Sequence, residues 1–270
     1  MTKISNTITT GVLQFDVKTG DIDANLSSMI NGIHRLGEKE AQIAVLPELC
    51  SAGFDSLSRV NEQAEQTPKI IDKLSDLAKK YRMVIAGSLP EKAEGHLFNT
   101  MMVIDSDGTV AGSYRKIHLF SLIGEDEVFS PGSKAIVCNT SCGPIGLMIC
   151  YDLRFPELCR SLALTGARMV IVSAQWPASR IHHWNTLLQA RAIENQLFIA
   201  AANRVGKDGD LSFNGHSQII SPDGNVLTKI IDQTDVAFAE INFNEIDIVR
   251  DRFNCLTQRQ TSAYTYDIKL

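Results

Sequence analysis

What most constrains this chain is a series of short apolar runs rich in β-branched residues: GVLQFDV, IAVLPEL, MVIAGSL, TMMVID, IGLMICY, MVIVSAQ, LFIAAAN, SQIIS and VAFAEI. Each is bounded by Gly, Asp, Asn or Pro, which punctuates strands. A half-exposed strand would alternate polar and apolar residues, so runs this uniform predict strands buried on both faces. Helical spacing appears between several of them. Leu26, Met29, Ile30, Ile33 and Leu36 follow an i, i+3, i+4 pattern, as do Ile70, Leu74, Leu77, Ala78 and Tyr81. A third helix is expected through PELCRSLALTG, with Pro156 in its first turn and Gly166 at its C-terminal cap. A fourth runs from about Ile181 to Gln196, carrying Trp184, Leu187, Leu188, Ala192 and Ile193. DSDGT at 105–109 and SPDGN at 221–225 place Asp-Gly between strands, a hairpin signal. The mixture predicts an α/β fold whose sheets pack on each other and carry helices on their outer faces. With no repeat or linker in the chain, one domain is expected over residues 1–250, followed by an aperiodic tail over 251–270 that contains Tyr264 and Tyr266.

Composition narrows the function. The chain of 270 residues buries roughly 75% of the surface it would expose unfolded, enough for a large core. Its net charge of −5 argues against general nucleic-acid binding, which needs Lys and Arg to displace phosphate counterions. No apolar run approaches the roughly 18–20 residues of a membrane span, and MTKISNTITTGVLQF lacks the apolar core of a signal peptide. The expectation is a cytoplasmic protein whose six cysteines are reduced. Cys138 and Cys142 have metal-like spacing, but no second Cys/His pair completes a site, and the six histidines form no ligand cluster. No metal or organic cofactor is expected.

Three polar residues close buried runs. Glu48 ends IAVLPEL, where a carboxylate is costly to desolvate unless paired or functional. Lys116 in GSYRKIHLFS ends the strand leaving the first hairpin; alone it reads first as a solvated edge charge, as do its neighbours Arg115 and His118. Cys150 ends IGLMIC just before the helix at Pro156, where the helix dipole and a nearby lysine would favour the thiolate. The other cysteines, Cys50, Cys138, Cys142, Cys159 and Cys255, read as inert small hydrophobes. A carboxylate, an ammonium and a thiol at strand ends can serve as base, oxyanion stabiliser and nucleophile.

LPEL, YRKIHLF and ICYDLRFPEL, in that order and at wide separation, resemble the three motif blocks of the carbon–nitrogen hydrolase (nitrilase) superfamily with its Glu-Lys-Cys triad. The resemblance extends from GVLQFDV to AEIN and implies a four-layer αββα sandwich. It implies catalytic roles for Glu48, Lys116 and Cys150, and an oxyanion contact from the Tyr151 backbone N–H. It also implies a second glutamate ahead of the SPG turn. Glu125, six residues before Pro131, is preferred over Glu127.

Within the superfamily, CYDLRFPE, SAQWPASRIHHWNTLLQARAIENQ and NRVGKDGDLSFNGHSQIISPDG resemble the branch containing ω-amidases. That resemblance implies hydrolysis of 2-oxoglutaramate or 2-oxosuccinamate through a thioester. Arg154 would hold the substrate carboxylate, unless it pairs with Glu157 or Asp152, while Phe54, Gln175 and Trp176 would line the pocket. Gln175 replaces an acidic residue found in some relatives. A nitrilase and an N-carbamoyl hydrolase would use the same triad, and a catalytically silent interaction protein could keep the fold. The family also implies a homodimer or higher homo-oligomer, with the helices at Pro156 and Ile181 and the tail as candidate interfaces.

Overall fold

The computed structural model describes residues 6–54 and 57–264. They form two sheets. In the first, β1 (Thr7–Gln14), β2 (Ile43–Val45) and β3 (Val84–Ala93) run parallel, β4 (His96–Ile104) and β5 (Val110–Arg115) continue the sheet antiparallel, and the order is β13-β1-β2-β3-β4-β5. In the second, β6 (Val137–Thr140) pairs antiparallel with β7 (Gly143–Ile149), which runs parallel to β8 (Met169–Ala174) and β9 (Phe198–Asn203). The hairpin of β10 (Val205–Asp208) and β11 (Leu211–Ile220), with β12 (Val226–Ile231) on β11, completes it. Finally β13 (Asp235–Asn242) returns to pair with β1 across its full length. Both Asp-Gly hairpins form where the sequence places them, at the β4–β5 and β11–β12 turns.

The uniform apolar runs are explained by period two inside a four-layer αββα sandwich. Val12, Ile43 and Val45 face the second sheet, whereas Leu13, Ala44 and Leu46 face the helices α1 (Ile22–Gly37) and α2 (Leu57–Tyr81). Each face is buried by a different layer, so neither needs polar residues. α1 presents Leu26, Met29, Ile33 and Leu36 inward and is capped by Asp21, whose side chain accepts the Ala24 N–H. After the one-turn helix α3 (Glu125–Val128), α4 (Pro156–Leu164) and α5 (Ile181–Asn195) cover the second sheet. α6 (Asn244–Arg252) follows β13.

One helix is longer than its periodicity suggests. α2 begins at Leu57, well before Ile70, and contains Pro68. Its first half is largely polar: Val60 and Ala64 pack inward against Leu49, Leu97 and Phe129, and the polar Gln63 and Thr67 are buried beside them. That small cluster supports the turn carrying Glu48. Among the described residues no helix is long and apolar enough to cross a membrane, and Tyr266 of the expected tail lies outside them.

Candidate active site

Residues that follow the carboxyl ends of β2, β5, β7 and β8 meet in one cleft of about 690 Å³, open mouth included. Ligand sites of α/β sheets gather at such strand ends. The turn after β2 is stitched to both sheets: Glu48 N donates to Ala174 O of β8 at 3.4 Å, and Leu49 N to Ser88 Oγ of β3 at 2.7 Å. Glu48 is thereby held between the layers.

Lys116 lies at the centre of a buried charge cluster. Its Nζ donates to Glu48 Oε1 at 2.8 Å and to both Glu125 oxygens at 2.8 and 2.7 Å. Side-chain exposures of 2% for Lys116, 3% for Glu48 and 0% for Glu125 leave the three groups almost no contact with solvent. An unpaired ion there would cost several kcal/mol. Asn99 Nδ2 bridges the carboxylates, donating to Glu48 at 2.8 Å and Glu125 at 3.1 Å, while its Oδ1 accepts from Ser88. Glu125 also accepts the Phe120 N–H at 2.8 Å. Of the two glutamates left open by the sequence, Glu125 is the one on Lys116; Glu127 is exposed. The SPG turn serves this arrangement. Gly132 N donates to Lys116 O at 2.8 Å, and a Cβ on Gly132 would stand 2.1 Å from Arg115 O. Only glycine lets the turn approach so closely.

Burial works to lower the Lys116 ammonium, but the Glu48 and Glu125 carboxylates outweigh it and hold the group above the ordinary lysine range. Burial, opposed by Lys116 and aided by the Glu48 charge, raises the Glu125 carboxyl.

Cys150 opens a short 3-10 turn, Cys150–Arg154, with φ of +45°, a left-handed elbow between β7 and α4. Asp152, fully buried, holds the elbow by accepting from Ile149 N at 2.9 Å and Tyr114 Oη at 2.7 Å. The expectation of a thiolate is corrected here. Burial, then the Glu48 charge, push the Cys150 thiol well above its ordinary value, and Lys116 only partly offsets them. The dipole argument overlooked two carboxylates, brought in from the turn after β2 and from α3. The free cleft therefore holds a neutral thiol beside a buried carboxylate. Tyr151, with its N–H in the first turn of the 3-10 segment where amides lack intrahelical acceptors, lines the same cleft.

Among the other cysteines, burial pushes Cys50 and Cys159 to about 12 and Cys138 and Cys142 to about 11. Such thiols are poor nucleophiles at neutral pH.

The outer cleft collects the expected substrate contacts. Phe54, Gln175, Trp176 and Arg154 all line it. Arg154 pairs with neither Glu157 nor Asp152; its guanidinium lies 4.8 Å from the Trp176 ring centroid and contacts His183 Nδ1 at 3.2 Å. Gln175 does more than line the wall. Its backbone N–H donates to Glu48 Oε2 at 2.9 Å and its Nε2 to Glu48 O at 2.9 Å, while its Oε1 accepts from the fully buried Arg204 at 2.9 Å. Arg204 is anchored in turn by Val17 O at 2.5 Å and Asp16 at 3.1 Å.

The solvated reading of Arg115 and His118 is also corrected. Arg115 grips Glu91 at 2.8 and 3.0 Å over the Phe98 ring. His118 stacks on Phe155 with centroids 3.6 Å apart and meets Asp152 at 2.8 Å, tying the Lys116 segment to the Cys150 elbow. Sequence reasoning missed Asn99, Asp152 and Arg204. Asn99 left a signal, a lone amide in the apolar run of β4; Arg204 left none.

The sequence model of the carbon–nitrogen hydrolase family matches residues 9–251. A 2-oxoglutaramate amidase of Bacillus subtilis is 38% identical over 245 residues, covering 90% of this chain and 94% of that one. Omega-amidase NIT2 of Bos taurus is 32% identical over 261 residues, covering 91% and 92%. The crystal structure of a carbon–nitrogen hydrolase from Helicobacter pylori G27 superimposes with a TM-score of 0.91 at 29% identity, covering 96% and 97%.

Proposed function

The chain belongs to the carbon–nitrogen hydrolase family and is a hydrolase of carbon–nitrogen bonds; from that premise we propose that it is a cysteine-dependent ω-amidase. It takes a small carboxylate-bearing amide, 2-oxoglutaramate or 2-oxosuccinamate, and releases ammonia and the 2-oxo acid. The observation that carries this reading is one cleft with Glu48, Lys116, Glu125 and Cys150 at its closed end and a guanidinium, Arg154, that no carboxylate among the described residues matches, toward its mouth. Relatives named for 2-oxoglutaramate amidase and ω-amidase support the same choice.

In this mechanism Glu48 accepts the Cys150 thiol proton as sulfur attacks the amide carbon. Because the free thiol is held neutral, proton transfer and attack are coupled, and no persistent thiolate is exposed to oxidants. The oxyanion forms against the Lys116 ammonium, which turns one of its three hydrogen bonds from a carboxylate to the oxyanion, and against the Tyr151 N–H. Glu48 returns the proton to the leaving nitrogen, ammonia departs, and a thioester remains. Water, deprotonated by Glu48, attacks the thioester; the proton returns to the Cys150 sulfur and the acid leaves. Glu125 and Asn99 keep Lys116 and Glu48 in register throughout.

The proposed setting is the cytoplasm, and the proposed assembly is a homodimer. Leu164 at the end of α4 and Ile193 on α5 are 45% and 50% exposed, which suits a second copy packing on that layer with the tail beyond residue 250 alongside. The test is ammonia release from 2-oxoglutaramate, aliphatic amides, nitriles and N-carbamoyl compounds, with Cys150→Ala as the blank. Activity greatest on 2-oxoglutaramate and lost in Cys150→Ala is expected. Activity confined to nitriles or carbamoyl compounds overturns the substrate, and turnover by Cys150→Ala overturns the mechanism.

A further inference from the structure

A second guanidinium stands on the cleft wall that the mechanism above leaves unused. Arg180 closes the 3-10 turn Ala178–Arg180 ahead of α5 and lines the same cleft as Arg154. Its backbone is fixed because its carbonyl accepts Trp176 Nε1 at 2.8 Å. Its guanidinium lies 5.5 Å from the Phe120 ring centroid, much as that of Arg154 lies over Trp176. Among the described residues neither guanidinium is matched by a carboxylate, and the side chain of Arg180 makes no hydrogen bond. Asp208, the acid nearest in the wall, is already held by Thr19 Oγ1 at 2.5 Å and by buried Arg204 at 3.8 Å. The cleft is therefore polarised, with two carboxylates around one ammonium at its closed end and two unmatched cations farther out.

We propose that Arg180 is a specificity-determining residue that forms, with Arg154, a two-guanidinium clamp for the 2-oxo-carboxylate end of the substrate. The inference rests on the ω-amidase reading. A 2-oxo acid offers three acceptor oxygens close to one plane and no donor. A guanidinium offers only donors, in a rigid fork. One fork meets the carboxylate bidentately, and the other spans the 2-oxo oxygen and the nearer carboxylate oxygen. A 2-amino acid amide instead presents an ammonium to a guanidinium, exchanging an acceptor for a like charge. The aromatic faces of Phe120 and Trp176 hold both forks flat and reduce what is lost on binding. The reverse orientation would set the substrate carboxylate against Glu48 and Glu125, so the clamp also sends the amide end inward.

The experiment compares wild type and Arg180→Gln on 2-oxoglutaramate, glutamine and butyramide. For 2-oxoglutaramate, KM should rise about 10–100-fold with a much smaller change in kcat, the scale of losing charge-assisted hydrogen bonds. The loss in kcat/KM should be at least about tenfold greater for 2-oxoglutaramate than for butyramide, and the preference over glutamine should narrow. Arg180→Lys should recover the charge but only part of the affinity. Equal losses on 2-oxoglutaramate and butyramide, or an unchanged KM, overturn the clamp. If wild type does not hydrolyse 2-oxoglutaramate, the ω-amidase reading fails by itself. The clamp is then judged by 2-oxobutyrate as an inhibitor of whichever amide is hydrolysed. Inhibition weakened about tenfold or more by Arg180→Gln supports it, and inhibition that is absent or unchanged overturns it.

Discussion

At the closed end of the cleft, Glu48, Lys116 and Glu125 are at most 3% exposed, and each oxygen or ammonium hydrogen bond is taken up by a neighbour. Toward the mouth, Arg154 and Arg180 are half-buried, lean on aromatic faces and meet no carboxylate among the described residues. The first region has its electrostatics satisfied before substrate arrives. The second keeps its electrostatics open for the substrate to satisfy. The difference follows from what each must do. A developing oxyanion is best met by charges that do not move, whereas discrimination between head groups requires donors that the wrong ligand leaves unpaired.

The comparison can be broken most forcefully at Lys116. Lys116→Met removes the ammonium and strands two carboxylates in a dry site. Turnover should fall by on the order of 10³, and the melting temperature should drop as a buried pair is broken, at a cost of about 3–5 kcal/mol. Retained turnover by a variant of unchanged melting temperature would show that the cluster is not preorganised for catalysis. Glu125→Gln tests the next partner. It keeps shape and loses charge, so kcat should fall by about 10²-fold with KM little changed, while Glu127→Gln, on the surface, should leave steady-state rates within error of wild type. Equal effects from the two would remove the distinction drawn between them.

The smallest effect is a shift in a pH limb. Neighbouring negative charge disfavours a thiolate, so alkylation of Cys150 by iodoacetamide, followed on its peptide by mass spectrometry, should climb only at alkaline pH. Glu48→Gln removes that charge and should move the limb to lower pH; movement in the other direction would mean that Lys116, not burial and Glu48, sets the thiol.

Much of this was legible in the sequence. Strands buried on both faces announce themselves as unbroken apolar runs, and Glu48, Lys116 and Cys150 each interrupt or close such a run. Helix periodicity located α1, α4 and α5, but missed the first half of α2, where the buried face mixes apolar Val60 and Ala64 with polar Gln63 and Thr67. Asn99, Asp152 and Arg204 escaped because their importance lies in partners rather than patterns. Asn99 reaches a glutamate 51 residues away, and Arg204 reaches Val17 across 187. His118 and Arg115 looked like edge charges since nothing local showed the buried Asp152 or the half-buried Glu91 that meet them.

By itself, then, the sequence determined the layering and singled out the groups proposed to react. Hydrophobic periodicity is a local consequence of burial, and a costly polar residue at the end of a buried strand needs a reason. Only the tertiary structure brought Glu48 and Glu125 to where they raise the Cys150 thiol, set Glu125 rather than Glu127 on Lys116, and left Arg154 and Arg180 without a carboxylate among the described residues. Those properties depend on charges a few ångströms apart in space that the chain separates by as few as 9 residues and as many as 68. Coulomb interactions and desolvation act across that short distance whatever the separation in sequence.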